Sequence, residues 1–393
     1  MFYEQPASSF SGRSSEGLPR ATWIRLGFFF ALLALNGTSL QVSSAGAIES
    51  GGLKIGLLLP PEEPQGTSVR EGALLAQEQA NRPSNGAVQL IVRGRVGQWG
   101  ADAVEAARMV TDEGVAGLIT PPDGAASHLV LQVSGRTAVP VVSLCADTSV
   151  SRTGVPWMVR VVPRTTEEAT VLFRDVPAAV SGNTNGWLTF VPDGRAGREI
   201  ARDLRTAASA CHCRLEQTIE IGSALTNADE LVVQALSNRP NVVLVWLAPI
   251  PCAKLAKVLR AAGYKGVLTG PGWLRSADFI RVAGDAGEGI HIPGIVQTKA
   301  SQERWRSFQS AYQQRWGHEP DWMAGMSYDA AVALIQIVRE DDFQSPSHRL
   351  RAGFSWPGVT GDLTFDSDGN RQVSLEMLQG QALGFRALQK GEQ

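Results

Sequence analysis

Short runs of continuous apolar residues alternate along this chain with longer stretches in which apolar residues recur every three or four positions. Residues 53–59 (LKIGLLL) are the first run, bounded by glycine and proline, and read as a strand. Residues 67–80 follow with Val69, Ala73, Ala76 and Ala80 at helical spacing. The alternation continues through a strand at 88–92 and a helix at 101–113 with Val104, Ala107 and Val110 on one face. A strand at 115–119, a helix at 125–134 and a strand at 139–143 complete the series. Strands and helices at this pitch predict a parallel sheet covered by helices on both faces.

After a polar interval the pattern restarts. It predicts a helix at 165–175, a strand at 187–191 (WLTFV) and a helix at 197–208 carrying Ile200, Leu204, Ala207 and Ala208 on one stripe. A strand at 214–221, a helix at 229–236, a strand at 242–247, a helix at 252–262 and a strand at 266–269 follow. Two series of similar size imply two similar α/β lobes. Beyond residue 297 two helical stretches, 301–316 and 323–339, run together without a strand between them. Gly358-Val359-Thr360-Gly361, a strand at 362–365, the turn Asp366-Ser367-Asp368-Gly369 and a closing strand near 373–378 end the pattern. With no low-complexity tract or long linker, the lobes are expected to be joined by several short crossings.

The first 47 residues read as an address rather than a fold. Arg13, Arg20 and Arg25 precede an apolar run at 26–35 (LGFFFALLAL), and Ala45-Gly46-Ala47 has the small-residue pattern of a cleavage site. The apolar run is about half of the ~20 residues that a membrane-crossing helix needs, which favours a secretory signal over an uncleaved single-span tether. No cysteine lies near the cleavage site, which argues against a lipid anchor. Export is the expectation, to a periplasm if the cell is Gram-negative.

Composition narrows the class. The 393 residues carry Lys+Arg 36 against Asp+Glu 38, a net charge of −2, so no basic face for nucleic acid is expected. With 44% hydrophobic and 19% charged residues the chain is globular, neither disordered nor polytopic. No nucleophile elbow, Walker loop, H-E-x-x-H or strand-borne G-x-G-x-x-G occurs, so no enzyme and no cofactor is expected. The five histidines lack metal-type spacing, and Cys211-His212-Cys213 has too few ligands to hold a metal alone. Cys145, Cys211, Cys213 and Cys252 allow three complete disulfide pairings, and the sequence selects none. A disulfide among them is the expectation in an oxidising compartment.

Loops at the carboxyl ends of strands are where open parallel sheets bind ligands, because helix N-termini there present free N–H groups. Residues 120–127 and 145–149 are two such loops. Ordinary capping by Asp123 is the competing explanation for the first.

Four stretches resemble the type I periplasmic solute-binding proteins, the family of the leucine/isoleucine/valine-binding proteins of ABC importers. They are Lys54-Ile55-Gly56-Leu57-Leu58-Leu59-Pro60 with Gly72-Ala73; Gly117-Leu118-Ile119 through Ser127 with Val139-Pro140-Val141-Val142-Ser143; Tyr328-Asp329-Ala330; and the segment from Gly358 to Arg371. The resemblance covers about residues 53–380 and implies two Rossmann-like lobes with parallel sheets and a ligand cleft between them. It places lobe 1 at 48–162 with 298–368 and lobe 2 at 163–297 with 369–388. It implies a monomer that captures a small-molecule ligand and delivers it to an ABC permease in the membrane. A ligand sensor acting through a membrane partner, or a degenerate member serving as an interaction module, are the alternatives.

By the same resemblance the ligand contacts fall at Gln65, Gly66, Gly124, Ala125, Ala126, Ser127, Ala146, Asp147 and Thr148 in lobe 1. In lobe 2 they fall at Arg195, Ala196, Ala248, Pro249, Gly272 and Trp273. Three departures bear on the ligand. Gly124 and Ala125 lack the hydroxyls that hold an amino acid's carboxylate in the family, leaving backbone N–H groups and Ser127. The family's tyrosine falls at Ala196, and its ammonium-binding acid falls at Gly272. An unpaired buried ammonium is costly. Asp147 stands as a replacement carboxylate, and Trp273, Trp246 and Trp157 as sources of an aromatic wall, Trp246 reading first as core. A small amino-acid-like, carboxylate or amide solute is the expectation.

Overall fold

The computed structural model describes residues 52–60, 65–82, 87–94, 100–179, 186–339 and 355–388. The proposed signal at 1–47 lies outside them. The first series folds as β1 (Leu53–Leu59), α1 (Gln65–Ala80), β2 (Val88–Gly94), α2 (Ala101–Thr111), β3 (Leu118–Thr120), α3 (Gly124–Thr137), β4 (Val141–Ser143) and β5 (Met158–Arg160). The second gives α4 (Thr165–Ala179), β6 (Trp187–Pro192), α5 (Gly194–Ala210), β7 (Leu215–Ile221), α6 (Ala228–Leu236) and β8 (Val242–Val245). It continues through α7 (Pro249–Ala261), β9 (Val267–Thr269), α8 (Ala277–Ala283) and β10 (His291–Ile295). The chain then forms α9 (Lys299–Trp316), α10 (Trp322–Arg339), the hairpin β11 (Ser355–Gly358) and β12 (Gly361–Thr364), and the closing strands β13 (Leu375–Gln381) and β14 (Gly384–Ala387).

Two sheets result. One is parallel with order β2-β1-β3-β4-β5; the other has order β14-β13-β10-β9-β8-β6-β7, parallel except where β13 and β14 join antiparallel. The inner strands are buried on both faces, which is why they read as continuous apolar runs, whereas the edge strand β7 alternates exposed and half-buried positions. In β1, Ile55 and Leu57 pack with α1 and α10, whereas Leu58 packs with Ala106 and Met109 of α2 on the other face. In β6, Leu188 and Phe190 face one cluster and Trp187 and Val191 the other. Helix α1 crosses α10 so closely that a Cβ on Gly72 would lie 2.1 Å from the Ala324 carbonyl oxygen.

The inward face of α2 differs from the expectation. Asp102, Ala106 and Met109 are buried, and Val104 is 50% exposed. The apolar residues at 104, 107 and 110 share a helical face, but the sulfur of Met109 fills the gap over Gly56 and sets the rotation. The expected disulfide is also absent: Cys145, Cys211, Cys213 and Cys252 are all free thiols. Cys145, in the loop after β4, and Cys252, in α7, are buried in different clusters.

The chain passes between the sheets three times, after β5, after β10 and between β12 and β13. Two of these crossings are laced together. Arg160 donates its N–H to the Gly369 carbonyl, and Arg371 donates its N–H to the Arg160 carbonyl. The guanidinium of Arg371 is buried and donates to the carbonyls of Val161 at 3.0 Å and Gly361 at 2.8 Å and to Thr360 Oγ1 at 2.9 Å. Asp329 of α10, also buried, accepts the N–H groups of Val359 and Thr360 at 2.7 and 2.9 Å. Burial pushes Arg371 down to about 10, which still leaves it charged at neutral pH. Replacing one member of such a set strands the other charge and several carbonyls, so Arg371→Met is expected to lower stability by about 3–5 kcal/mol in denaturant unfolding. A loss below about 1 kcal/mol would show that the crossings hold without it.

Candidate ligand-binding site

In each sheet the strand order reverses once, between β1 and β3 and between β6 and β8. The loops leaving those strands diverge and open a crevice. The two crevices meet in a cavity of about 380 Å³. The first sheet contributes Gln65 at the start of α1, Asp123 and Gly124 after β3, and Ala146 and Asp147 after β4; α10 adds Trp322, Met323 and Met326. The second contributes Asp193 after β6, Ala196, Glu199 and Asp203 of α5, Trp246 to Ala248 after β8, and Trp273. Thr165 and Glu168, in the first turn of α4, close one side.

The sequence-derived residues divide. Gln65, Gly124, Ala146, Asp147, Ala196, Ala248 and Trp273 line the cavity. Gly66, Ala125, Ala126, Ser127, Thr148, Arg195, Pro249 and Gly272 are not part of its lining. Ser127 is fully buried, its hydroxyl donating to Thr120 Oγ1 at 3.0 Å, so it braces strand β3 instead of facing a ligand. The N–H of Thr148 is taken by Asp203 Oδ2 at 3.2 Å. Arg195 points outward and pairs with Glu199 at 2.7 Å. Trp157 donates its indole N–H to Ser134 Oγ at 2.8 Å and stands away from the cavity. Trp246 is fully buried yet lines the cavity edge-on to Trp273, with ring centroids 5.6 Å apart. Trp273 is held by its own indole bond to the Leu247 carbonyl at 2.9 Å.

The electrostatics of the lining are one-sided. Six carboxyl groups line it (Asp123, Asp147, Glu168, Asp193, Glu199 and Asp203), and no lysine, arginine or histidine does. Asp123 caps α3, accepting the Ala126 N–H at 2.6 Å, as its position before the helix implies. Asp147 is nine-tenths buried. Its Oδ1 accepts the Ser149 N–H at 2.8 Å and lies 3.6 Å from Arg202. Its Oδ2 is buried and has no hydrogen-bond partner among the described residues. A Cβ on Gly124 would sit 2.7 Å from that oxygen and 3.2 Å from Glu199 Oε2, so residue 124 has no side chain because two carboxylates occupy its place.

Glu168, Glu199 and Asp203 escaped the sequence reading. A signal existed for Glu168: it falls within the stripe of Thr165, Ala169, Leu172, Phe173 and Val176, which α4 buries. An acid inside an apolar stripe needs a reason to be there. Cys211 and Cys213 turn their thiols to the Thr170 and Phe173 carbonyls of α4, which gives both a packing role.

The sequence matches the family model for periplasmic binding proteins over residues 52–383. The chain belongs to that family. Among solved structures, the leucine-binding protein LivK of Thermotoga maritima superposes with a TM-score of 0.74 at 18% identity, covering 86% of this chain and 98% of that one. The branched-chain amino acid binding protein LivJ of Streptococcus pneumoniae, solved with isoleucine, gives 0.73 at 15% identity over 86% and 98%. A solute-binding protein of an ABC transporter from R. palustris, solved with benzoate, gives 0.74 at 18% identity over 86% and 96%. These likenesses show the fold, two sheets of this topology facing one cleft. No curated protein sequence matches the chain. Among the described residues no helix is long and apolar enough to cross a membrane.

Within this periplasmic binding protein the most perturbed cleft acid is Glu168. Burial pushes its carboxyl up to about 8, opposed by the Gly272 N–H and aided by neighbouring Glu167. Because the folded state holds this proton more tightly than the unfolded one, Glu168 stabilises least at high pH. Stability of the protein relative to Glu168→Gln is therefore expected to fall as pH rises from about 4.5 to about 8, by up to about 1.4 kcal/mol per pH unit. Urea unfolding of both proteins across that range checks this, and parallel curves would place Glu168 in a solvated setting.

Proposed function

We propose that this chain captures a small organic cation with an apolar or ring-shaped body between its two lobes and delivers it to an ABC permease. The observation that carries this reading is Asp147 Oδ2, buried without a partner on a lining that has six carboxyl groups and no basic side chain. A buried carboxylate oxygen left without a partner is costly, and a ligand N–H⁺ group supplies what it lacks. Trp246, Trp273, Trp322, Met323 and Met326 offer the apolar remainder of the cavity. A cation over such rings gains further attraction. The amino-acid-like, carboxylate or amide solute expected from sequence thereby narrows to its amine-bearing member, because a free carboxylate would meet a lining rich in acids with no basic side chain in it.

The neighbour solved with benzoate supports a ring-sized solute, since its fold superposes on this one; its anionic ligand is the part the acidic lining does not favour. On this reading the lobes are 48–162 with 298–368 and 163–297 with 369–388, and residues 1–47 are a signal that exports a monomer. The ligand-contacting set is Gln65, Gly124, Asp147, Ala196, Ala248 and Trp273 with Glu168, Glu199 and Asp203. Asp147 and Glu199 approach from different lobes. A cation between them relieves their repulsion, so binding shifts the population towards the closed form.

The test is thermal unfolding of the protein, freed of bound solute, against a series of alkyl and aryl amines and their isosteric carboxylates. An amine at about 100 times its dissociation constant should stabilise by ~2.7 kcal/mol, and Asp147→Asn should weaken it at least tenfold. Stabilisation by carboxylates with silence from amines would sink the cationic reading.

A further inference from the structure

A lone acid stands at the second-lobe side of the cavity. Glu168 is 6% exposed, and its hydrogen bond among the described residues comes from the Gly272 N–H to Oε2 at 3.2 Å. A Cβ on Gly272 would lie 2.7 Å from Glu168 Oε1 and 2.8 Å from the Pro293 carbonyl. The helix side chain thus fills the space that a side chain from the Pro271–Trp273 turn would need. The elements packed against α4 are α5, β10 and β13, and the charged or titratable groups on them and on α4 include Glu167, Arg174 and Asp175 of α4, Arg195, Arg198, Glu199, Arg202, Asp203 and Arg205 of α5, His291 of β10 and Glu376 of β13, with Arg164 just before α4 and Arg275 beyond the turn. None of the basic ones pairs with it: Arg164 is engaged by Glu167 at 2.7 Å, and Arg275 stacks on Trp322 at 4.7 Å. His291 is itself buried, and burial lowers its tendency to take a proton.

A buried carboxyl with one N–H donor, no cation beside it and a cavity in front of it has two stable conditions. It is protonated and neutral, or it is ionised with a cation brought from outside. Resting on the cationic-solute reading above, we propose that Glu168 is the specificity-determining group for amines, neutral in the empty cleft and ionising as the ammonium group enters. The balance is simple: the Glu168 O–H bond breaks, its proton leaves to solvent, and the ligand, already protonated, forms an ion pair with the carboxylate. Capture of one cation releases one proton, and the net charge of the site is unchanged. The upward displacement of this acid by burial agrees with a neutral resting form at pH 7.

The experiment is calorimetric titration of the solute-free protein with 2-phenylethylamine at pH 7 in two buffers of different ionisation heat, with 2-phenylethanol as the uncharged probe. The expected result is amine binding with close to one proton released per site and an affinity that rises from pH 6 to pH 8. Glu168→Gln should bind the amine at least tenfold more weakly and release no proton, and should lose far less affinity for 2-phenylethanol than for the amine. Glu168→Asp should retain proton release at reduced affinity. The proton count is read on the unaltered protein, so it stands even if a variant folds poorly. Amine binding with no buffer dependence, or proton release that persists in Glu168→Gln, would overturn the role of Glu168 while leaving the cationic reading on Asp147. Silence of the unaltered protein to the whole amine series would overturn that reading and this one with it.

Discussion

Everything in the cleft depends on two buried arginines where the chain crosses between the sheets. Arg160 ends β5 and Arg371 begins the return to the second sheet, and they trade backbone hydrogen bonds across the crossing. Their guanidinium groups reach opposite ways. Arg371 gathers the carbonyls of Val161 and Gly361, while Arg160 donates to the Asp147 carbonyl at 2.7 Å and lies 3.2 Å from Ser151 Oγ. The crossing is therefore coupled to the loop that carries the orphaned carboxylate oxygen. A free main-chain carbonyl at 147 would let that loop turn, and Asp147 could then satisfy itself in solvent. Held by Arg160, it cannot, and the unmet hydrogen-bonding capacity stays aimed at the cavity.

That arrangement sets the electrostatics across the cleft. Asp147 on one lobe faces Glu199 and Asp203 on the other, and two contacts offset the like charges: the Thr148 N–H to Asp203, and Arg202 between Asp147 and Asp203. Arg202 is half exposed, so its contribution is screened. The lobes are thus neither locked by strong pairs nor driven far apart.

The sheets were legible because burial on both faces leaves a signature that needs no partner to recognise. Strand β1 and helices such as α9 and α10 lie within two residues of where periodicity predicts them. Four strands escaped, β5, β10, β11 and β14, and some of them have residues that argue against a strand. β10 reads HIPGI, and a proline and a glycine in five residues suit a loop better than the strand that joins the parallel and antiparallel parts of a sheet. β14, GFRA, is a short edge with too little pattern to read. At the cavity, residues at or just after strand ends and helix starts were found, and acids further along the helices were not. Glu168 reaches the cavity from the first turn of α4, and Glu199 and Asp203 from the second and third turns of α5.

Two glycines show why the helices carry the chemistry. At Gly124 a Cβ would strike Asp147 and Glu199; at Gly272 it would strike Glu168. In each case the loop tip has given up its side chain, and a carboxyl from another element has taken the volume. Volume of this kind is not shared: restoring a side chain at 272 means displacing Glu168 or pressing on the Pro293 carbonyl. At positions 124 and 272 the absent side chains leave the room that these carboxyl groups fill. A cleft can therefore keep its fold and its acidity while the residues that supply the acidity change their address in the chain.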